Sequence, residues 1–231
     1  PASVKSVEVS SDQIFDSKRF DAGHYSEAIV EADETLRHFE ESDVEVQRVR
    51  DVTEELFRPS IHKRNYTDEN NGQPYLTPTQ LFLRPVEAEK YVQDPPEGLK
   101  VNPEWLLITC SGTVGRTTIA DTHLEDFVIS QNLIRTVPER DITGYLYAYL
   151  NSWMGQAYLT QDEYGATIKH INPDHVGDIP LPRLPEVEDE VHQKIMQAFQ
   201  YREKADALEK EAIELLEQRF DEEAESSSDT V

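Results

Sequence analysis

The chain has 231 residues, 37% of them hydrophobic, so it can bury a core and is not disordered throughout. Asp and Glu number 46 against 22 Lys and Arg, and the resulting net charge of −24 argues against generic electrostatic binding of nucleic acid. Cys110 is the single cysteine, which excludes an intrachain disulfide, and no apolar run reaches the roughly 20 residues of a membrane span.

Residues 1–11 alternate loosely at Val4, Val7 and Val9 and read as an extended lead-in. Over 12–42, Tyr25, Ala28, Ile29, Ala32, Leu36 and Phe39 are spaced by 3 and 4, which predicts an amphipathic helix. Val44, Val46 and Val49 fit a short strand or a helix start. Arg58 to Gly72, with Pro59, Asn65, Asn70 and Asn71, reads as a loop. Tyr75 to Leu83 reads as a strand region broken by Pro78, and Asp94-Pro95-Pro96 with Gly98 as a turn. Trp105 to Thr109, the glycines Gly112 and Gly115, and Thr117 to Ala120 read as strand, turn, strand. Phe127 to Ile134 holds a further strand. Leu146, Tyr149, Leu150, Trp153 and Ala157 place one apolar face on a helix over Gly144–Leu159.

The prolines of Asn172-Pro173 and Ile179-Pro180-Leu181-Pro182 predict a rigid extended stretch. From Glu186 to Phe220 there is no Pro or Gly. A stripe of Val191, Ile195, Ala198, Ala205, Leu208, Ala212 and Leu215 runs along it, heptad-like with one stammer. A helix there is about 50 Å long and is expected to meet a partner helix, the alternative being that it folds back on its own domain. Five acids in the last eleven positions predict a disordered tail over 221–231.

Catalytic chemistry is not legible. Gly112 and Gly115 lack the spacing and Lys of a phosphate loop. Asp94-Pro95-Pro96-Glu97 faintly resembles the catalytic loop of amino-group DNA methyltransferases, but Glu97 cannot stack a flipped base. His170 and His175 have no Cys beside them, so no metal site is expected. Ser111 lacks a nucleophile-elbow setting. The chain reads as non-catalytic, without cofactor or metal, and cytoplasmic. The acidity fits a solvated acidic face or a high-salt cytoplasm, and 9 Lys against 13 Arg fits the second.

The order of short motifs is more informative. Gly72 to Thr77 comes first, then Ser111-Gly112-Thr113-Val114-Gly115-Arg116 and Ser130-Gln131-Asn132. Tyr149 to Ser152, Gly165 to Pro173 (Lys169 among them) and Ile179 to Pro182 follow, leading into the long helix. Together they resemble a target-recognition domain plus conserved helix of the DNA specificity subunit of type I restriction–modification systems. The segment from Phe57 to Tyr66 is similar to recognition domains of fused restriction–methylation proteins.

The resemblance implies an α+β fold. A mixed α/β target-recognition domain (1–185) is followed by a long C-terminal coiled-coil helix (186–220) and the acidic tail. It also implies a non-catalytic subunit that reads a bipartite site on double-stranded DNA and directs methyltransferase and restriction/translocase subunits to it. Family members carry two recognition domains and two helices. One of each here makes the chain a half subunit, a fragment or a natural single-domain form, with a homodimer through the helix as one route to two sites. Three cations within seven positions, Arg58, Lys63 and Arg64, sit beside Tyr66 and form the clearest basic window. Arg58, Lys63, Arg64, Tyr66, Thr77, Thr79, Gln80, Arg84, Ser111, Thr113, Arg116 and Lys169 are the candidate DNA contacts. The competing reading is a DNA-independent coiled-coil adaptor.

Overall fold

The computed structural model describes residues 7–228 apart from Arg19, Asp21 and Ala166. The lead-in up to residue 6 and the last three residues of the acidic tail lie outside the described residues. The single helix expected over 12–42 is corrected to α1 (Ser11–Ser17), a 3-10 turn (Ala22–Tyr25) and α2 (Glu27–Glu41). On α2, Ile29 and Ala32 are buried and Leu36 and Phe39 pack against the same core. β1 (Val46–Arg48), a 3-10 turn and β2 (Thr53–Phe57) follow, and the expected loop 58–72 contains the short β3 (Tyr66–Thr67).

The strand expected over 75–83 is also corrected. β4 (Gln73–Leu76) gives way to α3 (Pro78–Leu81), for a local reason. The Thr77 side chain accepts from the Gln80 N–H while the Gln80 side chain accepts from the Thr77 N–H. This capping box, with Pro78 pre-set in the first turn, starts a helix where the sequence reads as a strand broken by Pro78. β5 (Lys90–Val92), β6 (Leu106–Thr109) and β7 (Thr117–Ile119) come next, the last two flanking the glycine turn as expected.

The strand expected at 127–134 is two strands, β8 (Val128–Ile129) and β9 (Leu133–Pro138). The helix expected at 144–159 is likewise two, α4 (Thr143–Asn151) and α5 (Trp153–Gln161). Ser152 separates them: its hydroxyl accepts from the Gly155 N–H at 3.2 Å and donates to the Tyr149 carbonyl at 2.7 Å. α6 (Pro173–Gly177), β10 (Pro180–Pro182) and α7 (Pro185–Ser228) complete the chain, so helical backbone continues past Phe220 into the stretch read as tail.

The fold is mixed α/β, with helices on one face of a sheet and a second sheet on the other. The central sheet has the order β2-β9-β6-β7 and is antiparallel throughout. Side chains alternate along β6, so Leu106 and Ile108 join the core under α2, α4 and α5, while Leu107 joins a second core. That second core takes Leu76 from β4 and Ile129 from β8, members of the outer sheet β3-β5-β4-β8. All four residues of β6 are buried, which is why it reads as an apolar run and not as an alternating strand. The Ile179–Pro182 segment is extended as expected, whereas Asn172-Pro173, expected to be extended as well, caps and opens α6, because Asn172 accepts from the His175 N–H and Pro173 suits the first helical turn. β10 pairs with β1, and the hydroxyls of Tyr145 and Tyr149, one helical turn apart on α4, donate to the carbonyls of Pro182 and Pro180.

The first turns of α7 are built into this core. Arg183 donates Nε and Nη2 to the two oxygens of Glu188 at 2.8 and 2.6 Å, and the Leu184 N–H donates to Glu188 at 2.8 Å. The helix then crosses α4 so closely that a Cβ on Gly144 would lie 2.5 Å from the His192 carbonyl oxygen. Phe199 is buried edge-on against Tyr147. Further along, Arg84 pairs with Asp206 at 2.9 Å. Beyond this point every residue from 207 to 222 is exposed.

Candidate nucleic-acid interface

The turn between β6 and β7 is held from inside. Thr109 donates its hydroxyl to the Thr113 carbonyl at 2.6 Å and accepts from the Arg116 N–H at 3.0 Å. Gly112 and Gly115 both have φ of +82°, a left-handed backbone that side chains resist. The Gly112 N–H donates to the Lys169 carbonyl at 3.0 Å, and Ser111 bridges His170. Two motifs more than fifty residues apart thus form one ledge carrying Ser111, Thr113, Arg116 and Lys169. Arg116 is exposed, with its guanidinium carbon 4.0 Å from the centre of the Phe82 ring in a cation–π contact. Lys169 pairs with Glu163 at 3.1 Å, which weakens its claim as a phosphate ligand.

The outer sheet carries a second group. Tyr66 and Tyr75 meet edge-on, Lys90 lies over the Tyr66 ring and Arg64 over the Tyr75 ring, each at 5.6 Å. A hydrogen bond with Tyr66 holds the Arg64 guanidinium above its usual range, so it stays charged. Lys63 is exposed next to it.

The loop Ser130–Asn132 joins the two groups. The Ser130 N–H donates to the Leu76 carbonyl on β4, and the Cys110 N–H at the base of the glycine turn donates to the Asn132 carbonyl. Arg58 donates Nε to the Gln131 carbonyl at 3.0 Å and Nη2 to the Asn132 side chain at 3.3 Å. Arg58 is therefore half-buried and anchored, not the free cation its basic window suggests. Cys110 is buried, and burial pushes its thiol above the usual range.

Other expected contacts serve the fold. Thr77 and Gln80 are consumed by the α3 capping box, with Gln80 buried, and Thr79 alone of that trio is exposed. Arg84 is spent on Asp206. The helix stripe divides: Val191 and Ile195 pack against their own core, and Ala205, Leu208, Ala212 and Leu215 are exposed. Three contributors escaped the sequence reading. Lys90 and Phe82 act only through partners brought by folding, whereas Arg135, the one charge inside the apolar strand Leu133–Pro138, was a visible anomaly.

Among the described residues, Lys63, Arg64, Lys90 and Arg116 have no carboxylate within ion-pair distance, although acids outnumber bases twofold. No group of three or more His, Cys, Asp or Glu there is placed to hold a metal, and no helix is long and apolar enough to cross a membrane.

Comparisons with known proteins add the family. The profile of the type I restriction modification DNA specificity domain matches residues 41–218. No curated protein matches. Among solved structures, the type I restriction–modification S subunit from M. genitalium is 13% identical at a TM-score of 0.45, covering 66% of this chain and 38% of that one. The HsdS subunit from Thermoanaerobacter tengcongensis is 17% identical at 0.47, covering 87% and 49%. A chain from a study of type I system assembly and conformational transition is 18% identical at 0.47, covering 85% and 52%. The chain thus spans about half or less of the length of these structures. Because the profile runs from the end of α2 through both sheets and into α7, the chain belongs to the type I restriction–modification DNA specificity family.

Proposed function

We propose that this chain is the DNA-reading module of a type I specificity subunit, non-catalytic itself, which brings methyltransferase and restriction/translocase subunits to a bipartite target. The carrying observation is a group of four cations, Lys63, Arg64, Lys90 and Arg116, that have no acid partner among the described residues of so acidic a chain, three of them lying over aromatic rings. They lie at the edges of the two motif groups, beside the short polar donors Ser111 and Thr113. Arg116 presents a planar fork suited to guanine O6/N7 or to a phosphate, and Tyr66 with Lys90 offers an amphipathic contact to the backbone. Loss of long-range repulsion at high salt makes binding by an acidic protein workable.

The test is binding-site selection from random duplexes by the full chain with a methyltransferase subunit at high salt. A bipartite consensus supports the reading, and failure to enrich any sequence favours the adaptor. On the selected duplex, Arg116→Ala should weaken binding by about 1–3 kcal/mol if it reads a base, with specificity relaxed at that position. A uniform loss on all sequences would assign it to phosphate, and no loss would remove it from the interface.

A further inference from the structure

We propose that Arg135 is the positioning residue of the DNA site, fixing the Ser130–Asn132 loop and, through it, Arg58 and the glycine turn; the inference rests on the DNA-reading function above. Arg135 lies on the face of β9 turned toward the second sheet and is fully buried. It has no carboxylate partner. Its Nη1 donates to the carbonyls of Ser130 and Leu133 at 2.9 and 2.7 Å, and its Nη2 to those of Ile129 and Leu99 at 2.8 and 3.3 Å. Burial lowers its pKa to about 10, so it remains charged at neutral pH.

A buried cation held only by main-chain carbonyls, with its Nε left without a partner, is costly unless the geometry is needed. A Leu or Met would fill the same apolar space with no charge to solvate. What the guanidinium supplies is a rigid planar fork that binds the carbonyls on both sides of the loop. Three of its four acceptors, Ile129, Ser130 and Leu133, flank or begin the loop, and the fourth, Leu99, ties the loop to the next segment. The loop's other groups hold the segments around the interface. Ser130 holds β4, Gln131 and Asn132 hold Arg58, and Asn132 holds Cys110 at the root of the glycine turn. Arg135 touches no solvent, so it acts on DNA only through this relay.

The test is a double-mutant cycle with Arg58 on the duplex selected by the full chain, at a temperature where circular dichroism shows every variant folded. Arg135→Met should weaken binding about tenfold or more in the wild-type background, yet by less than about twofold when Arg58 is already Ala, because both changes break one relay. A purely structural role predicts a lower melting temperature with unchanged affinity, or losses that simply add, and either result overturns the proposal. If Arg135→Met does not fold, Arg135→Lys keeps the charge but not the four-carbonyl fork, and the same cycle applies with the same outcomes. If the wild-type chain selects no duplex, the DNA reading fails and the proposal with it. If Arg58→Ala weakens binding while the Arg135 variants do not, the positioning role alone fails.

Discussion

Gly112 isolates backbone strain from crowding. Its φ is +82°, and a Cβ built there meets nothing within 4 Å. The cost of a side chain is therefore torsional, about 1–2 kcal/mol for an L-residue in the left-handed region. Gly112→Ala should lower stability by about 1 kcal/mol in urea unfolding with an unchanged m-value. A neutral substitution would mean that the turn relaxes to negative φ and that the ledge with Lys169 is not rigid. Gly144 is the opposite case, a glycine required by the backbone of α7 pressed against it. Arg58 shows how a residue's identity misleads without its partners: three cations within seven positions suggest a DNA grip, and one of them is turned inward.

At the scale of elements, the start of α7 depends on one ion pair. Glu188 is held below its ordinary value of 4.5, chiefly by its hydrogen bond with Arg183, and it also accepts from the Leu184 N–H. A carboxyl depressed in the folded state stabilises the fold above its unfolded pKa, and that contribution is lost as the pH falls through the folded value. Both partners are only partly buried, so water screens the pair, and Glu188→Gln should cost about 1 kcal/mol at pH 7. The difference between wild type and variant should shrink as the pH falls below about 4. Thermal melts of both proteins from pH 7 to pH 3 check this. A gap that is constant with pH would show that Glu188 contributes by shape and not by charge.

At the scale of the molecule, α7 has two lives. Up to Asp206 it belongs to the domain, held by Gly144, Phe199 and the Arg84 pair. From 207 to 222 it is exposed on every side, and Leu208, Ile213, Leu215, Leu216 and Phe220 are all more than half exposed. This exposed stretch is about 24 Å long. A two-fold antiparallel pairing of it would cover the stripe with its own copy and set two recognition domains on opposite strands of an inverted repeat. The wild type should then be a dimer by light scattering at micromolar concentration, and Leu208→Glu a monomer. A wild-type monomer at high salt would remove both the dimer and the palindromic target, and would leave the helix to a second domain of a longer subunit.

The sequence by itself determined the order of elements around the glycine turn, the long helix and its stripe, the extended proline segment, and the motif order that marks the family. Those signals are local: a period of 3 or 4, a paired glycine, a proline that forbids helix at the residue before it. The capping box at Thr77–Gln80 is also a local signal, and it prevails over the strand character of the residues before it. Other features were decided only by tertiary structure. The joining of the Gly112 and Lys169 motifs, the placing of Arg116 over Phe82, the inward turn of Arg58 and the division of the α7 stripe each need a partner far away in sequence. Arg135 states the reason most plainly. Its charge was legible in the strand, but what neutralises its burial is a set of carbonyls from Leu99 and from Ile129 to Leu133, which come together only when the two sheets close.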